Sequence, residues 1–125
     1  MKVKIFYHHT DCGGVVYYAN YLKFFEEART ELLAERDILI KQLIKQGIQF
    51  VVSRQEIDYK SPAFYGDTLQ IDTRLINVSG IRIEFDYQIE NQNGQIICTG
   101  KTSLACVDTN FKPQAIPPEI RAKLT

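Results

Sequence analysis

The sequence predicts an α+β domain in which a five-stranded antiparallel sheet wraps around one long central helix. Three observations carry that expectation. Just past the pair Gly13-Gly14 the apolar period lengthens from two to about 3.6, with Tyr21, Phe25, Ala28 and Leu32 recurring on one face. After Gly47 the period returns to two and holds to the end of a strand meander broken by turn-forming residues. Only the first helical stretch is long enough to cover the apolar face of such a sheet.

Taken in order, residues 2–8 read as a strand, with Val3, Ile5 and Tyr7 on one face and Lys2, Lys4 and Phe6 on the other. The long helix covers 19–35. Leu22 and Leu33 widen its apolar stripe, and Lys23, Glu26, Glu27, Glu31 and Glu35 take the opposite side. A second helical piece over 37–46 stops at Gly47, a suitable residue just past a helix C-terminus. Residues 48–59 read as a strand whose apolar face switches between Phe50/Val52 and Ile57/Tyr59, which predicts a bulge or a strong twist. Ser61-Pro62-Ala63 turns the chain, and Gly66-Asp67 opens a strand with Leu69, Ile71, Thr73 and Leu75 on one face. After Ser79-Gly80, Ile81, Ile83, Phe85, Tyr87 and Ile89 alternate with Arg82, Glu84, Asp86, Gln88 and Glu90. Asn93-Gly94 is a hairpin signal, 95–108 form the last strand, and Pro117-Pro118-Glu119 opens a short helix.

A chain of 125 residues reads as a single domain spanning 1–125, large enough to bury a core. Fifteen basic residues balance fifteen acidic ones, so the basic excess of a nucleic-acid binder or an anionic-membrane binder is missing. A small phosphorylated ligand needs only local donors and stays compatible with that balance. Met1 to Tyr7 alternates charged with apolar residues, unlike a signal peptide, and no apolar run approaches the ~18 residues of a membrane span. Three cysteines are an odd number, and eight residues of strand separate Cys98 from Cys106 by roughly 26 Å, beyond disulfide reach. Free thiols predict a reducing, cytoplasmic setting.

The chemistry concentrates in His8-His9-Thr10-Asp11-Cys12-Gly13-Gly14, which runs directly into Val15-Val16-Tyr17-Tyr18-Ala19-Asn20-Tyr21. Three readings compete. A zinc site would need His8 and His9 together, yet neighbours on a strand point to opposite faces, and no further ligand motif completes a four-ligand set. A nucleophilic Cys12 near a helix start would need an oriented base, for which only His8 or His9 is available. Asp11 lies where a strand ends and a Gly pair turns the backbone, shortly before a helix whose first N–H groups and positive dipole end suit an oxyanion. A carboxylate beside such donors is the pairing that acyl transfer requires. An Asp in a Gly turn also serves, more commonly, as an Asx turn or cap, and the residues alone leave the choice open.

The run Thr10-Asp11-Cys12-Gly13-Gly14-Val15-Val16-Tyr17-Tyr18-Ala19-Asn20-Tyr21, followed by Leu22-Lys23-Phe24-Phe25-Glu26-Glu27-Ala28-Arg29-Thr30, resembles the signature of the 4-hydroxybenzoyl-CoA thioesterase family, in its YbgC-like branch. Asp58-Tyr59-Lys60-Ser61-Pro62-Ala63 is similar to that family's D-Y-x-x-P-A turn, and the element order agrees along the whole chain. The resemblance implies the hotdog fold, an acyl-CoA or related pantetheine thioester as substrate, water as acceptor and no metal or redox cofactor. It also implies a homodimer formed by joining sheets, or a homotetramer, with active sites at the dimer interface. It maps the catalytic carboxylate onto Asp11 and the oxyanion donor onto the backbone N–H of Tyr18, with Gly14, Val15, Tyr17 and Asn20 as the expected substrate-binding neighbours. Many members of the branch carry His where this chain has Tyr18, and an acidic residue where it has His9; a donor that acts through its backbone tolerates the first change. Tyr17, Tyr18 and Phe24 are candidates for an acyl tunnel, and Asn20 for a cap or a loop support. Two other readings remain: a non-catalytic hotdog protein that binds acyl thioesters or a partner, and a dehydratase that would pair His8 or His9 with Glu26 or Glu27.

Overall fold

The computed structural model describes residues 1–125. Strand β1 (Lys2–Lys4) precedes helix α1 (Asn20–Glu35), the short helix α2 (Ile40–Lys45), strands β2 (Gln49–Tyr59), β3 (Thr68–Val78), β4 (Arg82–Glu90) and β5 (Ile96–Val107), and helix α3 (Pro118–Lys123). The five strands form one antiparallel sheet in the order β1-β3-β4-β5-β2. The expected α+β architecture is therefore present, with α1 held against one face of the sheet.

One contact between helix and sheet requires a glycine. Phe25 of α1 stacks on Tyr87 of β4, with ring centroids 4.1 Å apart and planes 11° apart. Its ring also lies over Gly100, where a Cβ would come within 2.5 Å of the Phe25 ring. Any larger residue at that point would lift the helix from the sheet. Ile83, Phe85, Tyr87 and Ile89 of β4 are buried beneath it, as their alternation predicts, together with Leu69, Ile71, Cys98 and Leu104. The opposite face is polar: Glu56, Lys101, Asp86 and Arg74 stand side by side across β2, β5, β4 and β3. Arg74 donates two hydrogen bonds to Asp86, at 3.0 and 2.8 Å.

The stripe on α1 differs from expectation at one turn. Phe24 is buried, whereas Leu22 is 38% exposed. The reason is the extra apolar surface beside the helix start, where His9 stands edge-on to the Phe24 ring at 5.6 Å. The expected bulge in β2 occurs, with the register shifting between Val52 and Arg54. A second shift, between Leu75 and Asn77, leaves Ile76 on the solvent side and has no counterpart in the sequence pattern.

The largest correction concerns the expected strand over 2–8. It ends at Lys4, and Tyr7–His9 form a turn of 3-10 helix. Ile5 is still buried and still bonded to the β3 side, its N–H donating to Asp67 O at 2.8 Å. Beyond it, the Phe6 N–H donates to Nδ1 of His9 at 2.9 Å. A side chain that satisfies the backbone locally competes with the sheet ladder, and here it wins. The two imidazoles consequently lie side by side, ring centroids 4.0 Å apart, instead of on opposite faces.

Candidate active site

Residues 9–17 form a small hairpin that delivers the chain into α1. The Asp11 N–H donates to Val15 O at 2.9 Å, Thr10 bridges to Val16, and the Tyr17 N–H donates to His9 O at 2.9 Å. Its tip is a tight turn in which the Gly14 N–H donates to Asp11 O at 3.1 Å, and Gly14 itself has φ +80°, a conformation that favours glycine. The hairpin docks by backbone onto the loop after β2: the Val16 N–H donates to Ala63 O at 2.8 Å, and Val15 bridges to Phe64. Pro62-Ala63 thus supports the hairpin, with Ala63 fully buried under it.

Asp11 is exposed at the tip. Its Oδ1 accepts the Gly13 N–H at 2.7 Å, the Asx geometry that the residue types alone allow. Oδ2 accepts no hydrogen bond from the chain, so one oxygen is fixed by the turn and the other faces outward. A Cβ at Gly13 would press on Oδ1 at 3.2 Å, which explains why the residue two places after the carboxylate is small.

Tyr18 occupies the turn between the hairpin and the first residue of α1. The helix start has no side-chain cap and no acidic residue in its first turn. The earliest helical bonds run from Asn20 N–H to Tyr17 O and from Leu22 N–H to Ala19 O, and the Tyr18 N–H has no acceptor within the chain. It is a free donor at the positive end of the long helix. The Tyr18 carbonyl, by contrast, accepts a hydrogen bond from the Tyr59 hydroxyl at 3.2 Å.

The remaining expected residues divide. Tyr17 is 44% exposed, its ring 4.9 Å from that of Tyr18. Its phenol is held above the usual range, mainly by the neighbouring Tyr18 hydroxyl and, last among its causes, by the Asp11 carboxylate. Asn20 is a loop support: its side-chain amide donates to His9 O at 2.8 Å, clamping the helix start to the 3-10 turn, while Ala19 takes the capping position. Phe24 belongs to the core and lines no open surface.

His9 and two of the three thiols take structural places. His9 holds Phe6 through Nδ1, and burial first, then His8 and Lys23, lower its pKa, so the neutral form that accepts that bond is favoured. Cys12 is exposed. Burial pushes the Cys98 thiol up to about 12 and raises that of Cys106, which disfavours the reactive thiolate in both. No three of the His, Cys, Asp and Glu side chains converge in a geometry that would hold a metal ion. Neither Glu26 nor Glu27 forms an ion pair with an imidazole, as the dehydratase pairing would require. Tyr59 escaped the sequence reading as a site residue. Its only signal was its place in the D-Y-x-x-P-A turn, and its bond to Tyr18 spans 41 residues.

Known proteins share this fold. A sequence profile described as the thioesterase-like superfamily matches residues 7–124. The acyl-CoA thioester hydrolase YbgC of Escherichia coli O6:H1 is 34% identical over 122 residues, covering 97% of this chain and 91% of that protein. The acyl-CoA thioesterase YbgC of Haemophilus influenzae is 38% identical over 122 residues, covering 96% and 89%. Among solved structures, the DHNA-CoA thioesterase of Staphylococcus aureus superimposes with a TM-score of 0.94 at 29% identity, covering 98% of this chain and 85% of that one. This chain belongs to the thioesterase-like superfamily, among its YbgC-like hotdog members.

Proposed function

We propose that the protein is an acyl-CoA thioester hydrolase in which Asp11 is the working carboxylate and the backbone N–H of Tyr18 the oxyanion donor. The observation that carries this reading is the unpaired Tyr18 N–H at the uncapped start of α1, reached through a hairpin with Asp11 at its tip. The thioester carbonyl oxygen would accept from Tyr18 and gain negative charge as the tetrahedral centre forms, where a fixed donor and the helix dipole act most strongly. The free Oδ2 of Asp11 would either attack the carbonyl carbon, giving a mixed anhydride that water then cleaves, or take a proton from the attacking water. Both routes release CoA as the thiol and the acyl group as the free acid. Gly14 and Val15 shape the turn that holds Asp11, and the exposed rings of Tyr17 and Tyr18 offer the acyl group a surface.

The second half of the site comes from a second copy of the chain. β2 is an edge strand of eleven residues that pairs only with β5. Joining two such edges would extend one sheet into the next and cover Val52, which is 51% exposed. A homodimer, or a homotetramer built from it, is part of this reading. So is a cytoplasmic location, which suits three unpaired thiols. No helix is long and apolar enough to cross a membrane.

Purified protein given a panel of acyl-CoAs with a thiol reagent tests the activity. Thiol release from no acyl-CoA above background would leave a binding protein in its place. Single-turnover hydrolysis in heavy-oxygen water, run with and without hydroxylamine, separates the two routes: label recovered in the Asp11 peptide or a trapped acyl-Asp11 adduct requires the anhydride, and label in the free acid with no trapped adduct selects the general base. Light-scattering mass in solution checks the assembly, and a monomer would reject it.

A further inference from the structure

Taking the Tyr18 N–H as the oxyanion donor, we propose that Tyr59 is a positioning residue for it, holding the Tyr18 backbone from the edge strand so that the N–H keeps one direction. The Tyr18 main chain belongs to neither of its neighbours. Hairpin bonds end with the Tyr17 N–H on His9, and helical bonds begin with Asn20 N–H on Tyr17 and Leu22 N–H on Ala19. The carbonyl of Tyr18 accepts from no backbone N–H, and its one partner is the Tyr59 hydroxyl at 3.2 Å. A residue between two elements keeps two soft dihedrals, and a donor free to swing stabilises a transition state less than a fixed one.

Tyr59 is itself well held. Its backbone pairs with Cys98 at the end of β2, and the following Lys60 and Ser61 N–H groups both donate to Ile97 O. Its ring stands edge-on to Tyr18, with centroids 6.2 Å apart, and lies 5.9 Å from Tyr21, a core residue of α1. The hydroxyl is thus fixed relative to the sheet and the helix together. Burial first, then Cys98 and Tyr18, raise the Tyr59 phenol, which keeps it protonated and donating at neutral pH. The ring packs and the hydroxyl orients, and the two roles separate experimentally.

Tyr59→Phe keeps the ring and removes the bond. The expected result is a kcat lower by about five- to tenfold, the weight of one hydrogen bond, with KM for an acyl-CoA within about twofold and a melting temperature lower by no more than the few degrees that one hydrogen bond contributes. The backbone carbonyl carbon of Tyr18 shifts in the NMR spectrum of the variant. Incorporating 3-fluorotyrosine at 59, which still donates, restores kcat. A Tyr59→Phe enzyme with wild-type kcat overturns the proposal. So does a loss of kcat that fluorotyrosine leaves unrepaired. Asp11→Ala measured alongside tells the two failures apart. If Asp11→Ala is as fast as wild type, the reading of the site is wrong; if it is inactive while Tyr59→Phe is normal, only the positioning role is wrong.

Discussion

The two ends of α1 are built on opposite plans. At its C-terminus Asp37 adopts φ 59°, its N–H donates to Ala34 O at 3.0 Å, and the Ile38 N–H donates to Leu33 O at 2.9 Å. Leu33 and Ile38 close over one another in the core, completing a Schellman motif. α2 ends the same way, with Gly47 at φ 76° donating to Ile44 O and Ile48 donating to Leu43 O. The start of α1 has no such closure: Ala19 supplies no capping side chain, and the Tyr18 N–H is left free. The chain twice seals a helix C-terminus in this way and leaves the start of α1, which follows the hairpin that carries Asp11, without a side-chain cap. The closed ends serve the fold, and the open start is the one that the proposed mechanism uses.

Substitutions at each end should therefore separate rate from stability. The largest effect belongs to the open end. Asp11→Ala lowers kcat by about 10²–10⁴-fold, as loss of a catalytic acid–base or nucleophilic group does, while a melting curve moves little because the side chain is exposed. Next comes the glycine under the first turns of the helix. Gly100→Val forces Phe25 away from the sheet and costs about 1–3 kcal/mol, read from a urea titration. At the closed end, Asp37→Val strains the left-handed position and costs about 1–2 kcal/mol, with kcat unchanged. Asp37→Gly acts the other way and stabilises by up to about 1 kcal/mol. An Asp37 variant that altered kcat as strongly as Asp11→Ala would erase the distinction between the ends.

The smallest expected effect is a pH dependence. The folded-state pKa of His9 is lower than its ordinary 6.5, so the unfolded chain binds that proton more readily. The His9 contribution to stability is present above about pH 6.5 and is lost as pH falls below that value, when protonated Nδ1 can no longer accept from Phe6. Melting temperatures recorded between pH 7.5 and pH 5, roughly a unit or more either side of that value, should fall less in His9→Asn than in wild type. Equal slopes would remove His9 from the account of why β1 stops where it does.

Much of this was legible in the residues. Periodicity located α1 and the strands β3 to β5 because each buries one face, and burial is what the apolar pattern records. The bulge in β2 was legible for the same reason, since the apolar face changes sides across Ser53. Asp11 and the helix start could be considered together because they are near in sequence, and the Asx turn that the residue types allow is the part the structure shows. The features that stayed hidden depend on partners that no pattern reveals. The turn at Tyr7–His9 hangs on one imidazole nitrogen, the burial of Phe24 depends on what lies beside it, and the bond from Tyr59 to Tyr18 joins distant segments. Periodicity reports which way a side chain faces and says nothing of which single polar atom it meets.

The hairpin of residues 9–17 is held almost wholly by main-chain hydrogen bonds to itself and to Ala63, with Asn20 as its one side-chain tie to the helix. Apart from Gly13 and Gly14 in its turn, backbone scaffolding of this kind depends little on side-chain identity. The exposed ring of Tyr17 can therefore be exchanged without breaking those bonds, whereas the ring of Tyr18 also packs against Tyr59. Were the acyl group to lie against Tyr17 as proposed, substrate preference would be free to drift while the turn that holds Asp11 stood still, and a library at position 17 would be the place to redirect it.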